Sequence, residues 1–338
     1  MPVPPLERVT FADPGTDALI PAIPSPAETA DQLIEASRAR HAASVAKAVR
    51  SRYAKTRKRR NLVATVLITG SFVLALIPLV SVVVTVVGAG LARLDAAFFT
   101  QSMRNVVGAG GGALHAIVGT LEVTATAAVI AVPIGLLTAI YLVEYGRGRF
   151  AKAITFFVDV MTGIPSIVAG LFAYSLFLLI LGPGSQNGMA GAIALALLMT
   201  PVVVRSSEEM LRLVPNELRE ASLALGVSRS RTITKVVLPT AIGGLSTSVI
   251  LAIARVIGET APLLIAIGFT QSMNYSMTNG PIMTLPVFVY NSYMSQGADA
   301  SAYVDRAWTG ALTLVLIVMA LNLVARLIAK RFAPKGTR

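Results

Sequence analysis

The chain has 338 residues, 54% of them hydrophobic and only 14% charged, with a mean hydropathy of +0.71. Soluble domains carry roughly a quarter of charged residues, so this composition excludes a soluble protein and fits an integral membrane one. There is no cysteine, and the two histidines, His41 and His115, lie far apart in sequence, which rules out a disulfide scaffold, thiol catalysis and a zinc cluster.

The first 25 residues contain six prolines and few large apolar side chains, a composition that stays disordered. Ser25-Pro26-Ala27-Glu28 then offers an N-cap serine, a proline at the first helical position and a glutamate at the third. A helix is expected to start there and to run through the basic stretch 50–60. Residues 1–60 are thus read as a disordered, basic arm with a helix in its second part. Lys55, Arg57, Lys58, Arg59 and Arg60 abut the first apolar run and suit anchoring on anionic lipid.

About 20 apolar residues cross a bilayer as a helix, and six such spans are expected. The first is 62–87, with Pro78 inside it; it begins too late and runs too long for a cleaved signal peptide. The second is 117–143, interrupted by Glu122 and Pro133. Residues 160–204 carry no charge but are too many for one helix. The turn cluster 182–188, Gly-Pro-Gly-Ser-Gln-Asn-Gly, divides them into a third span ending near Leu181 and a fourth over 189–204. The fifth is 241–268 and contains Arg255 and Glu259; the sixth is 307–325. Between the first two spans, the glycine run 108–112 lacks the Gly-Lys-Ser/Thr ending of a phosphate-cradling loop and reads as a flexible linker. No Walker motif occurs in the sequence, so the chain is not its own ATPase. The loop 269–306 is poor in charge, and 281–290 suits a short, partly buried segment.

Lysine and arginine fix the expected orientation. With both termini inside, segments 1–61, 144–153, 205–240 and 326–338 hold 11, 3, 6 and 5 basic residues, or 25 of the 29 in the chain. Positive charge stays on the cytoplasmic side, so N-in, C-in is expected, and the same bias accounts for the pI of 10.4. Nucleic acid is not an expected partner, since no recognition module accompanies the charge.

Segment 205–240 is the one long inner loop between spans. From Pro215 onward, Leu218, Ala221 and Leu225 followed by Gly226 suggest a short amphipathic helix stopped by glycine. Such a helix suits docking into a partner's groove or lying on lipid. Glu220-Ala221-Ser222, then Gly226, then Leu238-Pro239 resembles the EAA loop of binding-protein-dependent ABC importer permeases. Ser222 stands where that pattern has its second alanine and Val236 where it has isoleucine. Ala254-Arg255-Val256-Ile257-Gly258-Glu259-Thr260-Ala261-Pro262-Leu263 resembles a stretch of the PstA-type permeases of bacterial phosphate importers. So do Pro133-Ile134-Gly135 with Ile140 to Tyr145, and Gly163-Ile164-Pro165-Ser166 leading to Gly170-Leu171.

The resemblance covers about 60–332 and implies a six-helix permease domain over 61–332 with the type I ABC importer fold, followed by a cytoplasmic tail, 333–338. It implies that Glu220, Ala221, Ser222, Gly226, Leu238 and Pro239 couple the chain to an ATPase. The implied partners are a homologous second permease (PstC-type), two ATPase subunits (PstB-type) and an external phosphate-binding protein (PstS-type). Phosphate is the implied substrate. No cofactor is implied for this chain, ATP and Mg being used by the partner ATPase. A permease for another oxyanion (phosphonate, sulfate or molybdate) and an ATP-independent ion transporter are the alternatives.

A charge in mid-bilayer costs about 2.5–3.5 kcal/mol on insertion scales. Arg255 and Glu259, four apart, are expected on one helix face, where they can neutralise each other. Pro262 falls on the same face and leaves the Gly258 carbonyl without its usual donor; Ser248 and Leu251 belong there too. A gated anion path is one reading, with Arg255 meeting the anion and Glu259 restraining Arg255. A structural ion pair is the other. Glu122 is read as a helix–helix hydrogen bonder or a second pathway group; Asp159 is expected to be interfacial, and Arg205, Glu208 and Glu209 to be solvated loop charges.

Overall fold

A computed structural model of the chain describes residues 26–297 and 299–332. The expected disordered segment 1–25 and the tail 333–338 lie outside them. The chain divides into two units, Met1–Val80 and Ser81–Arg338; the elements discussed below in three dimensions belong to the second. Among the described residues the architecture is all-helical.

Helix α1, Pro26–Gly90, starts on the proline that the sequence marks as a first helical position and continues through Pro78. A 3-10 turn, Leu91–Arg93, leads to α2, Ala96–Thr100. Asp95 caps α2 by accepting the Phe98 N–H at 2.8 Å. Helix α3, Leu114–Ile140, carries Pro133 internally and ends in a π-helical turn, Tyr141–Tyr145.

The third expected span is two helices, α4, Gly148–Thr162, and α5, Ser166–Leu181, bent by 104° at the break. Pro165 supplies no N–H and pushes Ile164 out of helical geometry, so Asp159 lies on α4 and not at the end of a straight span. Helix α4 exposes Phe150, Phe156 and Phe157. Helix α6, Gly188–Arg212, runs eight residues beyond the end expected at 204.

A short helix, α7, Asn216–Ala224, stands alone. Helix α8, Arg229–Thr232, a π-helical turn, Ile233–Val237, and α9, Leu238–Val256, then form one continuous helical path, long and apolar enough to cross a membrane. The path stops at Val256 instead of reaching 268, and α10, Ala261–Ala266, is a separate short helix. Helix α11, Leu285–Met294, occupies the segment expected to be partly buried, and α12, Ala300–Phe332, closes the chain. Among the described residues, five helices are long and apolar enough to span, or six with the bent α4–α5 pair.

Helix α6 is the centre of the second unit, packed against α3, α5, α9 and α10. Lipid is as apolar as leucine, so helices associate in it through close packing of small residues. The buried face of α6 is built that way, from Gly188, Ala190, Gly191, Ala192, Ala194 and Ala196. The main core joins Val123 and Ala127 of α3, Leu195 and Met199 of α6, Leu263 of α10 and Phe288 of α11. Helix α11 is fixed further by its Leu285 N–H, which donates to Thr120 Oγ1 at 2.7 Å.

Candidate functional site: a cleft along α9 and the short helix α7

One face of α9 carries Thr240, Gly244, Thr247, Ser248, Leu251 and Arg255, the three- and four-residue spacing of a helical stripe. With Ser206, Glu209 and Met210 of α6 these residues line an open cleft of about 630 Å3. Thr240 and Thr247 donate back to the carbonyls of Val236 and Gly243 at 2.7 and 2.8 Å, so neither of these hydroxyls is left unpaired in the apolar span. The Ser248 hydroxyl donates to the Ser206 carbonyl at 3.4 Å and ties α9 to α6. From Thr240 to Arg255 the stripe rises about 22 Å at 1.5 Å per residue.

Arg255 is exposed at the head of this cleft, in the last turn of α9. A helix C-terminus favours a cation, which offsets part of the cost of placing a charge there. Glu259 is not its helical neighbour. The helix ends at Val256, Glu259 donates its N–H to the Val256 carbonyl at 3.0 Å, and no ion pair joins Arg255 to Glu259 among those of the described residues. The expected shared face fails for a plain reason. Pro262 cannot donate to Gly258 and glycine resists helix, so the break falls between the two charges.

That break is braced by α5. A Cβ on Gly170 would lie 2.5 Å from the Pro262 carbonyl oxygen and 2.6 Å from its Cα, so only glycine permits this approach. Two stretches singled out in the sequence thus meet face to face.

The residues of the EAA-like loop divide into an exposed and a buried set. Glu220 and Ala221 are exposed on α7, as are Leu218, Leu223 and Leu225. Gly226 has φ +77, the left-handed conformation that ends a helix. Its N–H donates to the Leu223 carbonyl at 2.9 Å, and the Val227 N–H donates to that of Ser222 at 3.2 Å. Ser222 is buried and its hydroxyl meets that of Thr232 at 2.9 Å, so α7 is pinned to the start of the α8–α9 path. Leu238 and Pro239 open α9, directly after the π-helical turn.

The sequence did not reveal what holds the other side of α7. Arg219 donates from Nε and Nη2 to Glu144 Oε1 at 3.0 and 2.9 Å, with side-chain exposures of 15% and 6%. It also donates to the carbonyls of Leu211 at 2.9 Å and Val214 at 2.6 Å. Arg229 donates to the Glu144 carbonyl and stacks over Tyr145, 5.1 Å from the ring centre. Helix α7 is therefore clamped between the end of α3 and the start of the path into α9.

Other charges differ from expectation. Arg205, Glu208 and Glu209 are on α6, not in a loop. Arg205 pairs with Asp159 of α4 and, at 2.9 Å, with Glu208; Arg212 reaches Glu208 at 2.7 Å. Glu122 Oε2 is buried without a hydrogen-bond partner, so the expected helix–helix hydrogen bond is not made. The glycine run is held rather than loose. Arg306 donates to the carbonyls of Gly108 and Gly110 at 2.8 and 2.7 Å, and Arg93 to that of Gly111 at 3.1 Å.

A helical bundle with a charged cleft and a small pinned helix at one end is the build of an importer permease. Residues 131–338 match the family described as binding-protein-dependent transport system inner membrane component, and the chain belongs to that family. Within it the relatives are PstA permeases. The chain is 47% identical over 275 residues to phosphate transport system permease protein PstA 1 of Mycobacterium tuberculosis, covering 80% of this chain and 89% of the relative. It is 38% identical over 273 residues to PstA of Yersinia pestis, covering 80% and 90%. Among solved structures it resembles a bacterial alginate ABC transporter in complex with a periplasmic protein bound to an alginate pentasaccharide. There the TM-score is 0.57 and the identity 13%, covering 82% of this chain and 98% of that one. A second likeness, to the MetNI methionine ABC transporter in inward-facing form, has a TM-score of 0.50 and 21% identity, covering 67% and 95%. These two likenesses establish the fold, that of type I importer permeases.

Proposed function

We propose that this chain is the PstA-type permease subunit of an ATP-driven inorganic phosphate importer. The observation that carries the reading is the conjunction of 47% identity to a phosphate transport permease with a cleft that ends on Arg255. A guanidinium offers several fixed donors to a phosphate oxyanion, and the cleft leads from it toward the coupling end. The chain forms half of the translocation path. A homologous second permease faces the open side of α9 and supplies the other half.

The basic segments lie in the cytoplasm, with both termini inside, and the arm's basic run meets anionic lipid. Two ATPase subunits hydrolyse ATP with Mg; this chain holds no cofactor of its own. One ATPase seats the exposed face of α7, where Glu220 and Ala221 lie among three exposed leucines. An external binding protein delivers phosphate from the other side. Closure of the ATPases pulls α7. The Ser222–Thr232 contact passes the pull to α9 and the Arg219–Glu144 pair passes it to α3, so both walls of the path move together.

The test is labelled phosphate uptake at limiting concentration in cells deleted for their own PstA-type permease and carrying this chain. Uptake should be restored, should require ATP, and should resist excess sulfate, molybdate or phosphonate. Competition by one of those anions instead would reassign the substrate.

A further inference from the structure

At the opposite end of α3 from Glu144 lies a second cavity, of about 310 Å3. His115 and Glu144 are 29 residues apart along one nearly continuous helical path, a rise of about 43 Å at 1.5 Å per residue. The cavity and the coupling helix therefore sit at opposite ends of the bundle.

Its polar wall is drawn from five separate parts of the chain. His115 comes from α3, Gln271 from the segment after α10, Asn291 and Ser292 from α11, Ser295 from the turn that follows, and Tyr303 from α12. His115 is only 4% exposed, and neither Nδ1 nor Nε2 has a hydrogen-bond partner. Its ring meets Phe288 edge-on at 5.7 Å, a packing contact that satisfies neither nitrogen. Buried polar atoms are almost always paired, so two unpaired nitrogens on a cavity wall point to an occupant.

The chemistry of the wall selects the occupant. An imidazole N–H, two side-chain amides and three hydroxyls can all donate, and no aspartate or glutamate lines the cavity. A hard cation would need carboxylate oxygens. Behind Tyr303 stands Arg306, its guanidinium 4.3 Å from the ring centre, with Nε and Nη2 unpaired. A wall of neutral donors suits an anion whose every face is a hydrogen-bond acceptor.

We propose that this cavity is a second oxyanion site, where inorganic phosphate halts between the external binding protein and the α9 cleft. The assignment rests on the phosphate reading given above. His115 donates one N–H to the anion, and the amides of Gln271 and Asn291 and the hydroxyls of Ser292, Ser295 and Tyr303 close round it. Neutral donors without a direct ion pair bind the anion and still let it leave.

The experiment uses the whole complex of both permeases and both ATPases, purified in lipid discs without the binding protein, and labelled inorganic phosphate as the probe. Wild type should bind phosphate saturably. His115→Leu and, separately, Asn291→Leu should weaken that binding at least tenfold, while His115→Gln, which keeps an N–H donor, should bind within a few-fold of wild type. Wild-type affinity in both leucine variants, each shown to be assembled by its elution volume, would overturn the site. So would equal loss in His115→Gln, which would mark a packing role. ATP-driven uptake of phosphate by wild-type complex supplied with binding protein is measured beside these. If it proceeds while the leucine variants bind normally, only the cavity assignment fails; if it is absent, the substrate reading fails and takes this site with it.

Discussion

Removing the Glu144 carboxylate should cut the link between α7 and the bundle without emptying the α9 cleft. Arg219 spends two of its N–H groups on one Glu144 oxygen, at 2.9 and 3.0 Å, and both side chains are largely buried. Breaking a buried pair by deleting one partner costs about 3–5 kcal/mol. Arg219 would still have the carbonyls of Leu211 and Val214 and the side chain of Asn216, so Glu144→Ala should fall near the low end, about 3 kcal/mol. Glu144→Gln keeps one acceptor and should cost about 1–2 kcal/mol. The assay is reconstituted complex in which ATP hydrolysis and labelled phosphate uptake are measured together. Glu144→Ala should keep hydrolysing ATP while phosphate moved per ATP drops severalfold, and its apparent melting temperature should fall. Arg219→Met should do the same, and the double variant should be little worse than either single one, because residues that act as one link are not additive. Strictly additive losses, or an unchanged ratio of phosphate to ATP, would refute the clamp.

Gly226→Ala forces a side chain into left-handed backbone at about 1–2 kcal/mol; it should lower the coupling ratio with insertion intact, and Gly226→Trp should abolish it. Gly170→Ala places a methyl against the Pro262 backbone, an overpacking worth about 1–3 kcal/mol, and should lower thermal stability and uptake together. Arg306→Met frees the carbonyls of Gly108 and Gly110, and protease nicking within 108–112 should become faster than in wild type.

The spans were legible because a bilayer demands a long apolar run and little else, and that demand is written in composition. Their interruptions were less so. Gly163 and Pro165 stood in plain view inside the third span, yet a charge-free run reads as one helix until the bend between α4 and α5 is seen. The stop at Val256 was hidden in the same way, since Ile257 and Gly258 continue an apolar pattern and proline is tolerated in spanning helices. The i, i+4 spacing of Arg255 and Glu259 therefore suggested a pair that the broken helix does not make. In the other direction, Arg205 and Glu208 looked like loop charges because the apolar run ended, although α6 carries on to Arg212 and buries Glu208 between two arginines. The EAA-like spacing located the short helix α7. Its clamp was beyond reach, because Glu144 and Arg219 are 75 residues apart and no local pattern joins them.

The passage of phosphate past Arg255 is tested most directly by labelled phosphate uptake at limiting concentration in deleted cells carrying wild type or Arg255→Gln, with both proteins shown by blot to reach the membrane. Uptake should collapse in the variant while ATP hydrolysis by the purified complex persists. Uptake at the wild-type rate would contradict the path and leave Arg255 a structural charge at the end of α9.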